Sequence, residues 1–231
     1  MLKRIEKLDT IYDGNLNIEN ELIDKIKNTW NNFIKDKNSN DFFDGDIYCA
    51  TKIDDKIPSI NISKTKFSCL IYARKTNKLT IRSLFSAGYI RTSDNYICII
   101  LNNKNIINTI GGMADNSDIK NNKFDYEGCL IREFREELGL NLKESFNFEI
   151  SLKYLKYPFE DNLKDSYYPV GTVYEVKTKY NKDELIDLFN NNKHDREVIE
   201  LKFYNKDNYG EIYSIKNKAE YIDELFRLLF K

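Results

Sequence analysis

The stretch Arg132-Glu133-Phe134-Arg135-Glu136-Glu137-Leu138-Gly139-Leu140 decides how this chain reads. Glu133, Glu136 and Glu137 stand at helical offsets i, i+3 and i+4, which puts them on adjoining positions of one helix face. Like charges at that spacing oppose helix formation, so the pattern needs a compensating partner. A hard divalent cation, Mg²⁺ or Mn²⁺, takes carboxylate oxygens and meets that need. Gly139 reads as the residue that stops the helix in left-handed backbone. The plain alternative is a solvated charged face, since 32% of the chain is charged. Two neighbours outweigh it: the acids run straight into Leu138-Gly139-Leu140, and Gly111-Gly112 closes an apolar segment upstream.

Outward from this stretch, Asp125 is the expected N-cap of a helix over Tyr126 to Leu138. Upstream, Phe85 to Thr92, Tyr96 to Leu101 and Ile106 to Ile110 read as strands, separated by Ser93-Asp94-Asn95 and Asn102 to Asn105 turns. Downstream, strands are expected at Phe148 to Tyr157, Tyr167 to Thr178 and Val198 to Tyr204. Helices are expected at Lys182 to Phe189 and Ala219 to Phe230. Near the N-terminus, the apolar spacing of Ile18, Leu22, Ile23, Ile26, Trp30, Phe33 and Ile34 predicts a helix from Asn17 to Asp36. A turn at Asp41 to Asp46 follows, then strands at Ile47 to Ile53, Ser59 to Ser63, Phe67 to Ala73 and Leu79 to Arg82. The order implies an α/β protein with a mixed sheet and helices packed on it.

Composition narrows the classes. The 231 residues suit one domain with an elaboration, or two small ones. A net charge of −1 gives no electrostatic case for a nucleic-acid or membrane partner. The longest apolar runs, such as Ile97 to Leu101, have strand length, so no bilayer-spanning segment is expected. Met1 to Thr10 lacks the apolar core of a secretory signal. Cys49, Cys69, Cys98 and Cys129 form no C-x-x-C pair and read as small buried residues of a reduced, cytoplasmic protein. With His194 as the only histidine, chemistry that needs several imidazoles is excluded.

The decisive stretch resembles the signature of the Nudix hydrolases, G-x5-E-x7-R-E-U-x-E-E-x-G-U, where U is apolar. Arg132, Glu133, Phe134, Glu136, Glu137, Gly139 and Leu140 match its second half position for position, and Gly112 is similar to its opening glycine. Nineteen residues separate Gly112 from Arg132, against thirteen in the signature, which implies a six-residue insertion. Counting back from Arg132, Phe124 stands where the signature has an acid, leaving Asp125 or Glu127 to replace it.

The resemblance implies a Nudix-like α/β/α sandwich with a mixed sheet over residues 83–231. Residues 1–82 would form a small N-terminal α+β extension, similar to the subdomain of Nudix enzymes acting on nucleoside diphosphate sugars. It also implies a Mg²⁺- or Mn²⁺-dependent pyrophosphohydrolase, an acid anhydride hydrolase, with Gly111, Glu133, Glu136 and Glu137 at the metal and Arg132 orienting a glutamate. For the general base, Glu197 is the first choice and Asp195 the second; a solvated loop explains either equally. Arg91, Tyr89 and Tyr96 fit contacts to phosphate or base, and strand packing accounts for them as well.

The substrate implied is a small nucleotide, a nucleoside diphosphate joined to a sugar or ribose. One alternative is an mRNA-decapping Nudix enzyme, whose RNA path would draw on Lys64, Lys66, Arg74, Lys75, Lys78 and Arg82. Another is a non-catalytic nucleotide-binding Nudix domain. The RNA partner is the less favoured, and a homodimer is in keeping with many relatives.

Overall fold

The computed structural model describes residues 1–37, 43–54, 56, 58–143, 146–158, 168–192 and 194–231. In chain order the elements are β1 (Leu2–Arg4), β2 (Asp9–Asn15), α1 (Asn20–Lys37), β3 (Asp46–Asp54), β4 (Ser59–Lys66), α2 (Phe67–Thr76), β5 (Arg82–Arg91), β6 (Ile97–Asn102), β7 (Ile107–Asn108) and β8 (Ile110–Met113). They continue with β9 (Ile119–Lys120), β10 (Lys123–Phe124), α3 (Tyr126–Leu138), β11 (Phe148–Lys156), β12 (Val170–Thr178), α4 (Lys182–Asn191), β13 (Val198–Tyr204) and α5 (Ile222–Leu229).

β5 organises the molecule. It is buried from Arg82 through Ile90, as a strand covered on both faces must be. One edge pairs in parallel with β12 along Leu84 to Arg91. The other edge forks: Arg82 and Ser83 pair with β3, Phe85 to Gly88 with β8, and Ile90 and Arg91 with β6, all antiparallel. The sheet is therefore mixed, with the order β1-β11-β12-β5-β3-β4-β2 along its main path.

Each face of β5 carries its own core. Leu84 and Ile90 pack with Leu130 and Phe134 of α3 and with Leu185 and Phe189 of α4. Tyr89 lies on the opposite side, with Ile99, Val173 and Leu225 and Phe226 of α5. Helices thus cover both faces, and the expected α/β/α arrangement forms. The N-terminal strands join the same sheet, β1 on β11 and β3 on β5, so the boundary expected after Arg82 falls inside β5. A third cluster joins α1 and α2 through Ile26, Leu70, Tyr72 and Ile81, and Trp30 packs edge-on against Phe67 at 5.9 Å.

One element overturns its expectation. Phe67 to Ala73, read as a strand, is the start of helix α2, with Ser68 to Ala73 all buried. A short apolar run has no polar face to reveal its period. Its start signal is also remote in sequence: Lys66 offers no side-chain cap, and Asp44 Oδ1 accepts the Ser68 N–H at 2.8 Å instead. Leu79 to Ile81, expected to begin a strand, lead into β5 as loop. Of the turn expected over Asp41 to Asp46, residues 41 and 42 lie outside the described residues.

Candidate functional site

Helix α3 forms where the sequence placed it. Asp125 caps it by accepting the Gly128 N–H at 2.8 Å. Gly139 ends it at φ 68°, where its N–H reaches the carbonyls of Arg135 and Phe134. Phe134 and Leu138 are fully buried, which fixes the rotation of the helix and turns Glu133 and Glu137 toward β8.

The two glycines of β8 let the acids come close. Gly111 has φ 144°, backbone that side chains rarely adopt, and a Cβ there would strike Ser86 O and Ala87 Cα. Its N–H donates to Glu137 Oε2 at 2.9 Å. At Gly112 a Cβ would stand 2.6 Å from both carboxylate oxygens of Glu133. Any larger residue would displace that acid.

Arg132 ties the cluster together. Its guanidinium reaches Glu133 Oε1 at 2.7 Å, Glu136 Oε2 at 3.0 Å and Asp118 Oδ2 at 2.9 Å, and donates to the Met113 carbonyl at 3.1 Å. One cation thus serves three carboxylates, while among the described residues Glu137 receives only a backbone N–H. Burial pushes the Glu133 carboxyl up to about 7 and the Glu137 carboxyl up to about 8; Glu133, Glu197 and Asp195 add to the rise at Glu137. Ionisation of the two inner acids is opposed by their surroundings.

Asp118 was missed by counting back from Arg132. Counting forward from Gly112, it occupies the signature's acid position, with five residues between. It is buried and takes the arginine. The extra residues therefore follow the acid: β9 and β10 form a two-stranded hairpin turning through Asn121 and Asn122, both left-handed. Neither earlier stand-in pairs with Arg132. Asp125 caps α3 and holds Lys120, and Glu127 lies in the first turn of the helix.

The loop carrying the candidate bases docks at the end of α3. Asp195 N–H donates to the Glu136 carbonyl at 2.8 Å, and Glu197 O accepts from Asn103 N–H at 2.7 Å. His194 stacks on Phe189 at 4.3 Å, a packing role. Arg91 and Tyr89 turn to Glu175 on the other face of the sheet, and Tyr96 packs edge-on against Phe203. Of the six basic residues named for RNA, Arg82 is buried, and Lys64 and Lys66 both close on Asp46 at 2.8 Å. All four cysteines are buried free thiols.

Among the described residues, no group of three or more His, Cys, Asp or Glu side chains is gathered to hold a metal ion. Arg132 engages Glu133 and Glu136, and the Gly111 N–H engages Glu137. The donor chemistry nevertheless fits a hard cation: every side-chain donor is a carboxylate oxygen, and two of them lie buried without a full counter-charge. No helix among the described residues is long and apolar enough to cross a membrane.

Fold and site define the class: a mixed-sheet α/β/α protein with an acidic helix held against a glycine pair. No protein-family model matches the chain, and no curated protein does. Among solved structures, a Deinococcus radiodurans protein matches with a TM-score of 0.50 at 14% identity, covering 80% of this chain and all of its own. This likeness is one of fold. A Nudix-family hydrolase from Clostridium perfringens is similar at 19% identity with a TM-score of 0.38, over 64% of this chain and 96% of its own.

Proposed function

We propose that this chain is a Nudix-type hydrolase that splits the diphosphate linkage of a nucleoside diphosphate joined to another group, of the NDP-sugar or ADP-ribose kind. The observation that carries this reading is the buried pair Glu133 and Glu137, held against Gly112 and Gly111 with their ionisation opposed. Such a pair is poised for a cation. Glu133, Glu136, Glu137 and the Gly111 carbonyl would hold Mg²⁺ or Mn²⁺. When bound, the ion screens phosphate charge and lowers the pKa of a bound water.

The protein's own groups have distinct tasks in this reading. Arg132, fixed from behind by Asp118, orients Glu133 and Glu136 through charge-assisted hydrogen bonds. Glu197, or Asp195 in second place, lies near enough to Glu137 to raise its pKa. A carboxylate there accepts a proton from water as the new O–P bond forms; the bridging P–O bond breaks and its electrons leave with the second phosphate. All the signature glutamates of the helix are present, which favours an enzyme over a binding-only domain.

The test is Glu136→Gln, assayed with Mg²⁺ on UDP-glucose, ADP-ribose, dinucleoside polyphosphates and capped RNA. Loss of nucleotide release supports the assignment. Turnover unchanged by the substitution overturns it.

A further inference from the structure

The two glycines have a second side. Away from α3, they border a cavity of about 290 Å³ whose walls include Phe85, Ala87, Met113 and Tyr221. Phe85 and Ala87 alternate with Ser86 and Gly88, so this cavity lies on the face of β5 opposite the acid helix. Among the described residues β8 pairs with β5, and its Gly111 N–H and Met113 carbonyl are taken by Glu137 and Arg132. Tyr221 is near enough to Glu137 for the carboxylate to raise its hydroxyl pKa. Cavity and acids are therefore neighbours across one thin strand.

Two cations face this space. Arg74, from α2 in the N-terminal region, donates to Ser83 Oγ at 2.8 Å, which aims its guanidinium along the wall. Lys156, at the end of β11, is 3% exposed; its ammonium donates to the Pro169 carbonyl at 3.2 Å and lies 5.5 Å from the Tyr168 ring centre. Burial holds its pKa below the usual lysine value. Among the described residues Glu220, exposed at the rim, is the one acid lining the cavity. A buried lysine and a half-buried arginine, set beside aromatic and apolar walls, suit an anionic group carried on an organic body.

We propose that this cavity binds a phosphomonoester on the far end of the substrate, with Arg74 and Lys156 as its contacts. The preferred substrates are then nucleotide conjugates bearing a further phosphate beyond the diphosphate that is cut. This rests on the hydrolase reading for its catalytic consequence, and binding tests it separately.

Two matched pairs differ by that one phosphate: NADPH against NADH, and coenzyme A against dephospho-coenzyme A. Calorimetric titration of the full chain should show the phosphorylated member of at least one pair binding about tenfold tighter or more, as a charge-assisted contact requires. In Lys156→Met and, independently, Arg74→Met, that preference should shrink to within about twofold. Equal binding of both members by the unaltered chain overturns the proposal, as does a preference that survives both substitutions. Turnover separates the two readings. A preference in binding with no hydrolysis of any substrate removes the hydrolase and leaves the cavity; hydrolysis without preference does the reverse.

Discussion

Two buried carboxylate sites lie on opposite faces of the sheet, and they are wired differently. Glu175 on β12 is met by Arg91 Nε at 2.7 Å and Lys153 Nζ at 3.3 Å, with the Tyr89 hydroxyl at 3.4 Å. Burial pushes its pKa up, but the two cations outweigh that and hold it below the ordinary value. On α3, one arginine is divided among Asp118, Glu133 and Glu136, and Glu133 and Glu137 are raised well above 4.5. The residue type is the same and all three carboxylates are deeply buried. Glu175 is finished as built; the helix site has charge left to neutralise, which is what the proposed hydrolase reading asks of it.

The comparison breaks most sharply at Glu137. Glu137→Gln keeps an oxygen for the Gly111 N–H and removes the charge, and should lower Mg²⁺-dependent turnover on the order of a thousandfold. A value of kcat/KM within tenfold of the unaltered chain would remove Glu137 from the chemistry. Next comes Gly112→Ala. The new methyl meets the flexible end of Glu133, so the side chain swings aside; activity should fall about a hundredfold while Tm moves little. A large loss of Tm with activity retained would contradict this.

Arg91→Met tests the other site. It leaves Glu175 with Lys153 and the Tyr89 hydroxyl and should cost roughly 2 kcal/mol, a Tm decrease of about 4–8 °C for a chain of this size. Thermal unfolding measures it, and turnover should stay near that of the unaltered chain.

The smallest effect is the most diagnostic, because the two sites carry opposite signs. Glu133 and Glu137 have raised folded-state pKa values, so protonation favours the fold. Their contribution is greatest below about 4.5 and is lost as pH rises toward about 7 and about 8. Glu175 is depressed, so its contribution is present above 4.5 and disappears as pH falls through its folded value. Tm of the metal-free protein should therefore decline between pH 5 and pH 8. Mg²⁺ should restore it, and Glu137→Gln should be more stable than the unaltered chain at pH 8. A flat profile with no response to Mg²⁺ would show that the helix site is as satisfied as Glu175.

How much of this was legible in the sequence depends on how local the cause is. Helix α3 was readable from cap to cap because Asp125, the apolar face and Gly139 all lie within it. β5, β6, β11, β12 and β13 were readable for the same reason, through turns such as Asn102 to Asn105. The single strand expected over Ile106 to Ile110 instead divides into β7 on β6 and β8 on β5, and β9 and β10 were not foreseen. Helix α2 was not, because its capping acid, Asp44, arrives from beyond β4. β1 and β2 were hidden by charge: they lie at the outer ends of the sheet's main path, where alternating exposure suffices. Asp118 was hidden by bookkeeping, since the insertion could sit on either side of it. Only the ion pair with Arg132 decides the side.

The hairpin of β9 and β10 leaves and returns through one pinch, the Asp125 N–H donating to the Asp118 carbonyl at 2.7 Å. One residue of that pinch grips Arg132 and the other starts the acidic helix, so both anchors are held from inside the protein. Phe124 anchors the hairpin in the core and Lys120 pairs with Asp125, while Asn121 and Asn122 at the turn are exposed. The tip at Asn121-Asn122 can be lengthened, shortened or given a fluorophore as a side branch, and the acids would not register the change. A graft at that tip offers a handle on the folded protein a few residues from its acidic cluster.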